Sequence, residues 1–443
     1  MSETSWRAAL TPPGPVIEIA RTLEAAGFET WCVGGAVRDA LLGHPHLDWD
    51  LATAALPKQV RKLFRRTIPV GIEFGTIGVL DERGTMHEVT TFRRDVQTDG
   101  RHAVVEFGAS LEDDLARRDF TINAIAYSPT RRELRDPFGG REDLARGVVR
   151  AVGDPEARMR EDRLRALRAI RFAARFDFTI EPATWRAIVE SAPYLGRLSM
   201  ERVKQELEKT REQVARPGRA LRLWREGGAL RTLVPALAHV SDVTLASLDA
   251  IPRPVKGVRP ERKIDRLTAL FAELAAPEAE RILRALRFAN ADVAWIGGVI
   301  ARWRELEPAI RAASRADEPV TDETIRRWLG RTGRTRARSV LRLAAARFAG
   351  ERAMGGDAPT SSRMASLYRR AIRIAFRDPV EIGDLAVDGD DLRTAGIPPG
   401  PTLGKVLLLL LDDVLGDPSR NTRDWLLDHA RTHYARLSGT GAT

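Results

Sequence analysis

The sequence predicts an α+β protein: an α/β head over roughly the first 150 residues, then a long all-α remainder. Three observations predict it. Before residue 150, short β-like runs alternate with turns. After Arg150 the apolar residues recur at helical spacing. The chain also has 443 residues, enough for two to four units of about 100–200 each. Hydrophobic residues make up 43% and charged residues 30%, a globular balance that excludes disordered, collagen-like and fibrous chains.

In chain order, residues 30–43 (TWCVGGAVRDALLG) read as a strand, a glycine turn and a helix start. Residues 47–53 (LDWDLAT) alternate with period two, as a strand does. Residues 74–95 read as a hairpin around the turn at 81–84. Residues 160–176 (REDRLRALRAIRFAARF) read as one helix, with Leu164, Leu167, Ile170 and Ala174 near one face. Helical spacing fills most of the rest, broken by Pro/Gly segments at 251–260 and 355–359. We therefore expect a head over 15–149, a helical neck over 150–215, a body over 216–365 and a tail over 366–438. The IPPGPTLGK segment at 397–405 reads as a glycine turn opening a helix, either a phosphate cradle or a plain helix start.

The net charge is +10 and the pI about 10.2, which suits an anionic partner such as nucleic acid. Only seven of the 71 basic residues are Lys. That bias fits bidentate phosphate contacts and equally a GC-rich genome. The longest obvious apolar run, 406–411, is six residues, far short of a bilayer span. The opening residues lack a signal peptide's basic start and apolar stretch, so a cytoplasmic location is expected. The single cysteine, Cys32, excludes an intramolecular disulfide and a multi-Cys zinc site.

Chemistry concentrates in the head. Gly34 and Gly35 follow a strand and open a helix, where backbone can approach a phosphate closely. Arg38 adds a bidentate phosphate grip, with Asp39 beside it. Asp48 and Asp50 sit at i and i+2, on one face of the expected strand. Two carboxylates about 7 Å apart on one strand face repel unless a cation lies between them. Mg²⁺, a hard ion with oxygen ligands, is the natural guest. Glu88, in the strand-like MHEVTTF, is the candidate third carboxylate or else an exposed strand residue.

Four motifs in order, GGAVRDALLG, LDWDLAT, HEVTTFRRD and DLARRDFTINAIAY, resemble the bacterial-type (class II) tRNA nucleotidyltransferases. These are the CCA-adding enzymes and their poly(A) polymerase relatives, within the polymerase-β-like nucleotidyltransferase superfamily. The motif resemblance covers about residues 30–172, with a looser likeness over 384–430. It implies a small head with a mixed or antiparallel sheet. It further implies that Gly34, Gly35, Arg38 and Asp39 contact the triphosphate, while Asp48 and Asp50 hold the metals, with Glu88 beside them. Arg117, Arg118 and Asp119 match the family's ribose-contacting motif, with Asn123 one turn on. Asp99, Gly100 and Arg101 resemble the polar centre of the flexible loop needed for the switch to adding A.

Residues 161–168 (EDRLRALR) look like the family's protein template for base choice. Asp162 and Arg165 are three apart on the expected helix and so share a face. Cytosine and adenine both offer an acceptor to Arg and an amine donor to Asp. Guanine and uracil present the opposite pattern, and unpaired polar groups in a closed site cost a few kcal/mol each. Arg168 and Arg171 continue the row and could reach phosphate or base.

The expected function is template-independent addition of C, C and A to the 3′ end of tRNA from CTP and ATP, with Mg²⁺ as cofactor. No membrane and no DNA are expected as partners. A poly(A) polymerase or an A-only enzyme on the same scaffold is the alternative, and a non-catalytic RNA-binding protein a remote one. The seven histidines form no clustered His/Asp pattern in the C-terminal half, so an appended phosphohydrolase is not expected. A GxxxxGK[ST] loop is also absent, which argues against an ATPase motor.

Overall fold

The computed structural model describes residues 6, 8–44, 48–98, 103–254, 262–316 and 318–438. The chain divides into two compact units, Met1–Thr210 with Leu223–Ala238, and Arg211–Arg222 with His239–Thr443.

The first unit is built on strands β1 (Thr30–Val33), β2 (Asp50–Thr53), β3 (Thr67–Gly71), β4 (Thr76–Leu80), β5 (Met86–Thr91), β6 (Arg93–Thr98), β7 (Ala103–Phe107), β8 (Ala126–Ser128) and β9 (Glu133–Arg135). Seven of them form one mixed sheet in the order β3-β4-β5-β2-β1-β8-β9. Only the β2–β5 pairing in it is parallel. β6 and β7 pair as a separate hairpin. β1 is buried along its whole length, with apolar Trp31, Cys32 and Val33 and with the Thr30 hydroxyl bonded to that of Thr53 at 2.9 Å. Trp31, Val33, Ala52, Phe92, Leu115 and Ala126 make the core beside it. The β4–β5 hairpin turns where the sequence places it, with the Asp81 N–H bonded to the Thr85 carbonyl at 2.9 Å.

Two local expectations are corrected. Asp48 is not part of a strand. β2 begins at Asp50 because its partner β1 ends opposite, at Val33, and Gly34 then turns away at φ +75°. The alternation nevertheless persists, with Asp48 exposed, Trp49 buried and Asp50 half-buried. The single helix expected over 160–176 is two, Pro155–Glu161 and Leu164–Phe176. Asp162 sits in the break with extended backbone, and its Oδ1 accepts the Leu164 N–H at 3.0 Å. A short carboxylate that can cap the next helix competes with continuing the last one.

The second unit is helical. Its main helices are Asp242–Ala250, Arg262–Phe271, Ala276–Ala285, Asn290–Arg315, Asp322–Thr332, Arg334–Ala353, Ser361–Arg377, Pro401–Gly416 and Arg423–Ser438. Hydroxyls cap their starts: Ser241, Thr321 and Thr360 each accept a backbone N–H from three residues on. Arginines cap their ends. Arg363 donates to the carbonyls of Ser314, Arg315 and Ala316. Arg326 donates to those of Leu415 and Gly416. Arg266, fully buried, donates to those of Arg211, Val214, Ala215 and Ile251. The last carbonyls of a helix lack internal partners, and a guanidinium satisfies several while opposing the helix dipole. A cut at 365/366 would fall inside the Ser361–Arg377 helix.

Candidate active site

The carboxylates gather on the sheet. β2 runs parallel to β5 with Leu51 beside Val89, so Asp50 and Glu88 hold neighbouring positions just ahead of that pair. Burial, then the charges of Asp48 and Glu88, push the Asp50 carboxyl up to about 6, with Arg118 opposing them. Burial and the Asp50 charge push the Cys32 thiol up as well, so it is inert.

The glycine turn lies beside them. Gly34 adopts a left-handed conformation that leaves its backbone bare, and a Cβ there would lie 3.1 Å from Arg118 Nη1. Arg118 and Arg117 are both held by Asp114, at 3.0 and 2.9 Å. Asp114 is buried, and its carboxyl stays below the ordinary range because the two arginines outweigh the penalty of burial.

A chain of charges then ties the head to the Leu164–Phe176 helix. Arg175 bonds Asp39 at 2.9 Å, and Asp39 pairs with Arg38. Arg38 donates to Asn123, and Asn123 to Asp119 at 2.9 Å. Asp119 accepts from Arg168 at 2.7 Å. Burial raises the Asp119 carboxyl, but Arg168 and Asn123 prevail and hold it low. Arg38 also lies over the rings of Phe172 and Phe176, 4.9 and 4.8 Å from their centroids.

The two base-choice candidates are engaged. Asp162 accepts from Arg202 at 2.7 Å in addition to capping Leu164. Arg165 donates to Glu161 at 2.6 Å and to the carbonyls of Arg158 and Arg117, each at 3.1 Å. Arg171 is drawn elsewhere, buried against Glu206. Asp99, Gly100 and Arg101 lie outside the described residues.

Sequence reasoning missed Asp114, Arg175 and Arg202. Asp114 was within reach, at i−3 and i−4 from the two arginines it holds. Arg202 and Arg175 meet their carboxylates across 40 and 136 residues, which no local spacing signals.

The carboxylates fit a divalent cation by donor chemistry. They are hard oxygens, and burial together with their mutual repulsion already raises the Asp50 carboxyl. Among the described residues no three His, Cys, Asp or Glu close into a complete cage.

Comparison with known proteins agrees with this geometry. Residues 30–150 match the poly A polymerase head domain, and residues 177–240 match the probable RNA and SrmB-binding site of polymerase A. The CCA-adding enzyme of Geobacillus kaustophilus is 36% identical over 424 residues, 94% of this chain and 96% of that protein. That of Lactiplantibacillus plantarum is 34% identical over 94% of this chain and 95% of its own. The crystal structure of the Bacillus stearothermophilus CCA-adding enzyme in complex with CTP superposes with a TM-score of 0.74 at 34% identity, over 95% of this chain and 98% of that one. Proteins of one name thus match this chain at 34–36% identity along nearly their whole length, and this chain belongs to the CCA-adding enzyme family.

Proposed function

We propose that this chain completes the 3′ end of tRNA, adding C, C and A from CTP and ATP without a nucleic-acid template and releasing pyrophosphate. The observation that carries the reading is the placement of Asp48, Asp50 and Glu88 beside the Gly34 turn, where burial first and then the two neighbouring charges raise the Asp50 carboxyl. A bound cation would offset that concentration of negative charge on a half-buried strand end.

Asp48 and Asp50 would hold Mg²⁺, with Glu88 beside them. When bound, the ion activates the tRNA 3′-hydroxyl and neutralises charge on the α-phosphate it attacks. The remaining work is positioning and electrostatics by the chain itself. Backbone N–H groups at Gly34 and Gly35 approach the triphosphate, and Arg118 and Arg117 supply positive charge. Arg118 holds Asp114 through Nη2, which leaves Nη1 beside Gly34 for phosphate while Asp114 stays paired. Asp119 and Asn123 hold Arg38 and Arg168 in register for sugar and phosphate, with Asp39 steadying Arg38 from its other side. Asp162 and Arg165 select the base, Arg165 donating to the ring acceptor and Asp162 accepting from the amine. Arg171 supports the same helix from behind, through Glu206. Asp99, Gly100 and Arg101 serve the switch from C to A.

Within this reading the head spans 15–149, the neck 150–215, the body 216–365 and the tail 366–438, with body and tail gripping the tRNA backbone. The setting is the cytoplasm. No described helix is long and apolar enough to cross a membrane.

The deciding experiment is single-nucleotide addition to tRNA lacking its 3′ end, with each NTP alone and with CTP and ATP together. C, C and A should be added in order and then stop. Addition of A alone, or of many A residues, would favour the poly(A) or A-only alternative. No addition with any NTP would overturn the enzymatic reading.

A further inference from the structure

In the helical unit a cleft of about 680 Å³ opens between the Arg334–Ala353 and Ser361–Arg377 helices, beside Ile251 and Pro252. Its floor is largely alanine from both helices, and its rim carries Arg262, Asp265, Arg338, Arg342, Tyr368 and Arg369. Four guanidiniums thus face one carboxylate. That carboxylate is committed: Asp265 is buried and paired with Arg342 at 3.1 Å.

Arg338 and Arg369 differ from the arginines around them. Arg266, Arg326, Arg363 and Arg370 all donate to backbone carbonyls of this unit. Arg338 and Arg369 are exposed, and no hydrogen bond or ion pair engages them among the described residues. Tyr368, half-buried, lines the same cleft.

We propose that this cleft receives one unstacked nucleotide from an unpaired segment of the RNA substrate. The base lies on the alanine floor against Tyr368, and its flanking phosphates meet Arg338 and Arg369. The volume falls within the range of about 300–1,000 Å³ typical of small-ligand sites. Small side chains leave room for a flat ring, the tyrosine supplies a stacking face, and the rim supplies the charge. An acidic peptide would satisfy the arginines but has no use for a flat slot beside an aromatic ring. The inference rests on the tRNA reading above and adds to it a contact to a base, remote in sequence from the head's motifs.

The test uses the full-length protein and full-length tRNA lacking its 3′ end. The variants are the double Arg338→Ala, Arg369→Ala, together with Tyr368→Ala, Tyr368→Phe and a photo-crosslinking residue at 368. All three positions are exposed or half-buried, and thermal unfolding checks each fold. The double variant should weaken tRNA binding about 10–100-fold and lower the salt slope by about one to two phosphates. Tyr368→Ala should weaken it about 5–100-fold while Tyr368→Phe retains it, because stacking needs the ring and not the hydroxyl. Cross-linking should map to an unpaired nucleotide, and kcat and KM for CTP at saturating tRNA should not change. Unchanged tRNA affinity in both alanine variants would overturn the proposal, as would cross-links to a paired stem or to protein alone. Failure of the wild-type protein to add nucleotides would sink the tRNA reading instead, and it is scored on a separate assay.

Discussion

Arg38 in the first unit and Arg266 in the second are both buried guanidiniums, and they keep opposite company. Arg38 meets a carboxylate, Asp39, and the Asn123 amide oxygen. Among the described residues, Arg266 donates its hydrogen bonds to backbone carbonyls, at Arg211, Val214, Ala215 and Ile251. The pattern extends outward. Arg117, Arg118 and Arg168 in the first unit are held by carboxylates, whereas in the helical unit Arg363 closes a helix end and Arg326 closes another while also pairing with Asp378. A carboxylate-held arginine keeps further N–H groups that can meet a phosphate, so the head's arginines are held ready for use. In a carbonyl cap the arginine is part of the fold. Much of the excess of arginine therefore never meets an anionic ligand, and the net charge of +10 overstates what is free to grip RNA.

The contrast is broken most easily at the carboxylates. Asp48→Ala with Asp50→Ala should reduce nucleotide addition by about a thousandfold or more, since the cation would lose its protein ligands. The unfolding midpoint should not fall, because the change relieves repulsion. Near-normal turnover with Mg²⁺ in that double variant would mean that these residues are not the metal site.

In the helical unit the expectation reverses. Arg266→Ala strands several buried carbonyls and should cost about 3–5 kcal/mol, lowering the unfolding midpoint of that unit by roughly 10 °C. CTP turnover, measured well below the transition, should be unaffected. If calorimetry showed less than about 1 kcal/mol lost, the carbonyl caps would be incidental and the contrast between the units would fail.

How much of this was legible in the sequence depends on how far the partners lie apart. The β4–β5 hairpin was legible from its turn, and the Gly34 turn from a glycine pair after an apolar strand. The helix break at Asp162 was not. Apolar periodicity runs unbroken through 160–176, and only a side-chain hydrogen bond to Leu164 interrupts it. The carbonyl caps were also hidden, since a backbone oxygen has no letter in the sequence. Within the site, Asp48 and Asp50 could be named from spacing, and Glu88 joined them because β5 lies parallel to β2.

Base choice tests whether arginines of the first unit can leave their partners. Arg165 must give up Glu161 or a carbonyl to meet a base, and Asp162 must release Arg202. Asp162→Ala should relax discrimination against UTP and GTP by about 1–3 kcal/mol, tenfold to a hundredfold, and slow use of CTP and ATP. Arg165→Ala should impair CTP and ATP alike. Single-nucleotide addition with each of the four NTPs reads both variants. An unchanged C/A-over-U/G ratio would leave these two residues as parts of the helix junction only.

The smallest effect concerns Asp50 without substrate. Its carboxyl titrates near 6 in the folded chain, against an ordinary value of about 3.9 when unfolded. A folded pKa raised above the unfolded one contributes stability that is complete below about 4 and is lost as pH rises through about 6. Above that window the ionised side chain is a standing cost. Asp50→Asn keeps the shape and removes the charge, so it should raise the stability of the ligand-free protein at pH 8 by about 1–2 kcal/mol and change little at pH 4. Mg²⁺ with CTP should stabilise the wild type and shift its titration downward, while Asp50→Asn responds weakly. Unfolding midpoints across pH 4–8 decide the matter. If Asp50→Asn matched or fell below the wild type at pH 8, Asp50 would already be compensated within the protein. The carboxylate group would then be a finished ion network, like the buried pairs elsewhere in the head, and not a cation site awaiting its ion.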